Sequence, residues 1–147
     1  MRRLQDLFRD IGDNCCLAID YLYAAFDMIT NKEEKEPTFI EVMIASVLIS
    51  GLADDETVLS KNGYVNDAEK LMKKATGHTY RVQKKRIESL KELPEKGYAI
   101  VNYEGIDGKN NHWILVKDRM QYYNSLAFSN CVAYGKPVDA RIIEVLD

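Results

Sequence analysis

The hydrophobic pattern changes its period part-way along the chain, and that change restricts the fold more than any other feature. In the first half, apolar residues recur at helical spacing. Within "DNCCLAIDYLYAAFDMI", residues 13–29, Cys15, Ala18, Ile19, Leu22, Ala25, Phe26 and Ile29 fall on one stripe. Asp13 or Asn14 suits the N-cap of this helix. A second helix is expected over 38–50, ending at Gly51. A third covers "NDAEKLMKKATG", capped by Asn66 and stopped by Gly77. After that the pattern shortens. "HTYRVQ" reads as a short strand and "KRIESLKEL" as a short helix closed by Pro94. "YAIVNYEG", "HWILVK", "MQYYNSL" and "ARIIEVL" read as strands. Helices followed by strands with short turns imply an α+β fold, a mostly antiparallel sheet with helices packed on it. A chain of 147 residues suits a single domain, 1–147, with a helical part over about 1–95 and a sheet part over about 96–147.

Charge and cysteine usage exclude several functions. The net charge is −3, with both signs mixed along the chain, so the clustered basic surface of a nucleic-acid binder is missing. "KKRIESLK" and "LMKKATG" are locally basic and read as solvated helix faces. The two arginines of "MRRLQDLFRDIGD" are not followed by the apolar run of a signal peptide. No segment approaches the roughly 18 apolar residues of a membrane span. "FIEVMIASVLISGL" carries Glu41 and stops at Gly51, as a buried helix would. These features imply a cytoplasmic protein with reduced thiols. Cys15 and Cys16 are adjacent and unsuited to pairing, and no CxxC or HxxxH spacing points to a metal. No cofactor is expected.

The chemistry concentrates at Cys15. It stands in the first turn of a helix, where unpaired N–H groups and the macrodipole favour a thiolate. Cys16 is turned away by roughly 100°, and Cys16 and Cys131 read as core thiols. Asp10 and Asp13 would oppose ionisation of Cys15 unless they point away. A thiolate nucleophile needs a base. Of the two histidines, His112 opens the strand "HWILV", whereas His78 lacks a polar residue suitably placed downstream to orient it. Asn124 ends the next strand and can orient His112 if the hairpin register allows. A two-residue loop at Asp118–Arg119 would set His112 opposite Ser125 and turn Asn124 to the other face. A three-residue loop, or a bulge, would bring Asn124 to His112. Gln5 is a candidate second oxyanion donor beside the Cys15 N–H.

Gln5, Asp10, Gly12 and Cys15, in the order Q-x4-D-x-G-x2-C, resemble the nucleophile motif of the papain clan. The motif is similar to that of the bacteriocin-processing peptidases that cut double-glycine leaders. "HWIL" and the Asn124 of "YYNS" match that family's histidine strand and third triad residue. The tail also resembles a group of uncharacterised bacterial and phage proteins of the same clan. Residues 5–19 and roughly 98–126 carry the resemblance. Three positions depart from the family: Ile11 where it usually has cysteine, Asn14 where it has a small residue, and Ser125 where proline is common. The resemblance implies a papain-like fold and thiol acyl transfer at an amide, isopeptide or ester carbonyl of a peptide or protein substrate. Cys15 would be the nucleophile, His112 the general base and then acid, and Asn124 its orienter. Gln5 with the Cys15 N–H would form the oxyanion hole. An inert papain-like scaffold that binds peptides without cutting them is the alternative.

Overall fold

Helix α1 (Cys16–Ile29) is apolar on nearly every side, and a helix of that kind has to be covered all round. The computed structural model, which describes residues 15–30, 36–50, 55–60, 63–126 and 129–147, puts α1 between the next two helices and the sheet. Helix α2 (Pro37–Ser50) contributes Ile40, Ile44 and Val47, spaced to share one face. Helix α3 (Ala68–Thr76) turns Leu71 and Met72 inward and its lysines outward. Its N-cap is Asp67, which accepts the Lys70 N–H at 3.0 Å. The cap is therefore one residue later than the sequence suggested. Asn66 is engaged elsewhere, its amide donating to the Glu56 carbonyl at 2.7 Å.

The strands are β1 (Tyr80–Arg86), β2 (Tyr98–Glu104), β3 (Asn111–Lys117), β4 (Met120–Tyr123) and β5 (Lys136–Val145). They form an open sheet in the order β1-β5-β2-β3-β4, antiparallel at every step. The expected α+β layout, helices first and antiparallel sheet after, is therefore present. The pleat divides the buried residues into two layers. Ile100, Leu115, Tyr123 and Ile143 pack under the helices. Val101, Ile114, Val116 and Ala140 face the other way, where Ile87, Leu93 and Cys131 cover them.

Three elements differ from expectation. The strand read over "HTYRVQ" is present but runs from Tyr80 to Arg86, all of it paired with β5, so the sheet begins inside the part read as helical. The "KRIESLKEL" helix shrinks to one 3-10 turn, Leu90–Glu92, held by a capping box between Ser89 and Glu92. Helix α4 (Asn130–Tyr134), unforeseen, starts on a Ser129 cap between β4 and β5. Among the described residues, no helix is long and apolar enough to cross a membrane.

Candidate active site

The site depends on how the β3–β4 hairpin is counted. Asp118 and Arg119 both take left-handed backbone conformations, with φ of 53° and 67°. That is the signature of a two-residue hairpin turn whose twist suits its strands. The turn sets Lys117 opposite Met120 and Val116 opposite Gln121. A regular ladder from there would send Asn124 to the wrong face. The ladder is interrupted: Leu115 stands opposite Tyr123, leaving Tyr122 as the extra residue of a bulge. Contacts with α1 account for it. The Tyr122 hydroxyl donates to Asp27 at 3.1 Å, and the Tyr123 ring stacks on Tyr23 with centroids 4.0 Å apart. Two consecutive tyrosines thus both face α1, which a regular strand forbids. The next residue, Asn124, falls on the side of Ile114 and His112.

There His112 Nε2 and Asn124 Oδ1 meet at 2.7 Å. The Leu126 N–H also donates to Asn124 Oδ1, at 3.0 Å. A backbone N–H can only donate, so the atom it meets is the amide oxygen. Nε2 must therefore carry the proton, and Nδ1 is left with its lone pair. His112 is 4% exposed. Burial lowers its pKa, while the hydrogen bond to Asn124 works in the opposite direction. The imidazole at neutral pH is then uncharged and basic at Nδ1.

Helix α1 reaches the same corner. The Asp118 N–H donates to the Gly97 carbonyl across β2, so even-numbered N–H groups of β3 face β2 and the Trp113 N–H points to the outer edge. That edge is open because β4 ends at Tyr123, opposite Leu115. The Cys16 thiol lies against it, hydrogen-bonded to the Trp113 backbone. Burial first, and the Asp20 carboxyl second, push this thiol up to about 12. Cys16 is an anchor that stays protonated. Cys15 precedes it at the N-cap position, and its carbonyl accepts the first helical N–H, from Ile19. By the pleat, His112 belongs to the face of Ile114, whereas α1 covers the face of Trp113 and Leu115. Any contact between Cys15 and His112 has to be made round the open edge of β3.

Cys15 is 3% exposed. Part of its cover is Gly63, in the segment beside the Leu59–Val65 bridge. A Cβ on Gly63 would sit 3.3 Å from the Cys15 N and Cα, and its φ is +88°. Gly63→Ala should therefore cost about 1–3 kcal/mol, from backbone strain and crowding together. A urea titration reads the loss, and an unchanged midpoint would mean that this segment does not press on Cys15. The asparagine-glycine pair in "SKNGYV" marks a turn in sequence, but nothing there shows what the turn packs against.

The structure thus joins His112 to Asn124 directly and sets Cys16, the neighbour of Cys15, against Trp113, the neighbour of His112. Gln5 lies outside the described residues, as do Asp10, Gly12, Asp13 and Asn14. Among the described residues, no group of three His, Cys, Asp or Glu side chains stands close enough to hold a metal ion. No protein-family model matches the chain, and neither a curated protein nor a solved structure is significantly similar to it.

Proposed function

We propose that the protein is a papain-like thiol hydrolase or acyl transferase acting on an amide, isopeptide or ester carbonyl of a peptide or protein. The observation that carries this reading is the Asn124–His112 bond. It commits Nε2 to a proton and leaves Nδ1 as a base, the role a thiol nucleophile requires. Nδ1 takes the Cys15 proton, and the thiolate attacks the carbonyl carbon. The protonated ring then donates to the leaving group, and water or another acceptor releases the acyl group from sulfur. Gln5 and the Cys15 N–H serve the oxyanion. A thiol nucleophile must be reduced, and among the described residues no disulfide involves Cys15, Cys16 or Cys131. A cytoplasmic setting would keep them so.

One observation favours a second reading, an inert scaffold that binds peptides: Cys15 is almost wholly covered. Iodoacetamide labelling at pH 7 with peptide mapping separates the two. The hydrolase reading expects Cys15 to label first, and His112→Ala to slow it by roughly 10-fold or more. Asn124→Ala should give a partial loss. Slow labelling of all three cysteines, the same in each variant, would leave the inert scaffold.

A further inference from the structure

The end of the sheet that carries His112 holds a second feature. Between the β2–β3 hairpin and α4 lies an open cavity of about 390 Å³, with mostly apolar walls. Its size is within the range of about 300–1,000 Å³ typical of ligand clefts. Ile106 and Tyr134 form its rim, 84% and 66% exposed. Large apolar side chains held in water at a concave site are a mark of recognition rather than of folding. Two polar residues of the rim, Asp107 and Asn110, are turned to one another. Asp107 accepts from the Lys109 and Asn110 N–H groups and from the Asn110 side chain, at 3.0 to 3.3 Å. Cys131 lies behind, its sulfur 3.4 Å from where a Cβ on Gly105 would sit, so any side chain at 105 would intrude on this cavity.

Placement links the cavity to the dyad. Cys131 belongs to the buried layer of Tyr103 and Ile114. Tyr103 is the residue directly opposite His112 in the β2–β3 ladder. The cavity and His112 thus share one face of the sheet and one end of it. We propose that this cavity is a substrate subsite, which takes an aliphatic or aromatic side chain and so holds the neighbouring carbonyl against His112. The catalytic sense of this subsite rests on the hydrolase reading, whereas its binding chemistry does not.

The test uses Cys15→Ala protein, so that no turnover intervenes. Backbone amide NMR shifts are followed during titration with N-acetyl-phenylalaninamide and N-acetyl-leucinamide. N-acetyl-glutamate and N-acetyl-lysinamide serve as polar counterparts. Saturable shifts are expected at 105–110 and 130–134, with the two apolar ligands binding roughly 10-fold or more tighter than the charged ones. Ile106→Ser changes only an exposed residue and should weaken the apolar ligands by a similar factor. Equal response to all four ligands, or none, would overturn the subsite. So would ligand-free shifts of these residues that depend on protein concentration, since a second copy would then fill the cavity. Binding in a protein whose Cys15 proves unreactive removes the hydrolase reading alone. Absence of binding in one whose Cys15 is activated removes the subsite alone.

Discussion

Gly135→Ala is expected to destabilise the fold by about 3 kcal/mol, at the upper end of what overpacking costs. Gly135 ends α4, and its N–H donates to the Cys131 carbonyl at 2.9 Å. A Cβ there would lie 2.1 Å from the Glu104 carbonyl oxygen and 2.4 Å from that of Cys131. Both obstacles are backbone atoms, so no rotamer change relieves them. Either α4 lifts from the sheet or the end of β2 bends away from β5. A chain of this size should lose roughly 6–12 °C in Tm. Chemical denaturation of the variant checks the free energy. A midpoint equal to wild type would mean that α4 is not fastened to Glu104. Because α4 also carries Cys131 and Tyr134, the same substitution should blur the cavity beside the dyad.

The second large effect is at Asp20, and it depends on pH. Asp20 is wholly buried in α1, one turn beyond Cys16, and neither carboxyl oxygen has a hydrogen-bond partner among the described residues. The Asn102 side-chain oxygen, on β2, is likewise buried without a partner. Burial raises the Asp20 pKa well above its ordinary value, so the folded protein holds this proton more tightly than the unfolded chain does. An unfolded chain releases it near pH 4. The stabilising share of the protonated acid is thus complete below that pH and declines as pH rises toward the folded value. The decline is about 1.4 kcal/mol per pH unit in that window. His112, with its lowered pKa, acts oppositely and withdraws stability as pH falls below about 6.5. The comparison must therefore be wild type against Asp20→Asn, which removes the titration at nearly constant shape. Urea midpoints at several values between pH 4.5 and 7.5 should move steadily in favour of Asp20→Asn. A constant difference would show that Asp20 is already ionised in the fold.

Period alone made much of this architecture legible. The stripe from Cys15 to Phe26 marks α1, and the alternating runs mark β2 and β3, because each pattern has one burial that satisfies it. What was illegible depended on partners distant in sequence. The strand read over "HTYRVQ" runs on through Lys84, Lys85 and Arg86, which show no apolar alternation and are extended because β5 supplies the opposite ladder. Helix α4 has five residues, too few for a periodic signal. At the site, local pattern could pose the choice between two hairpin registers but not make it. The deciding groups are Tyr23 and Asp27, about a hundred residues earlier in the chain. Asp20 illustrates the same limit. Nothing in the local pattern marks this carboxyl as buried, yet the packing leaves it wholly covered.

The bulge at Tyr122 also bears on portability. The Tyr123 hydroxyl donates to Glu41 of α2 at 2.8 Å, and its ring lies on Tyr23 of α1. These contacts, not the turn, keep the count that aims Asn124 at His112. The hairpin 111–126 is therefore not a self-contained cassette. Grafted onto another scaffold without an aromatic platform like that of α1, it would relax into the even ladder its two-residue turn prefers. The histidine would then lose its orienter even though every residue of the donor segment had been copied.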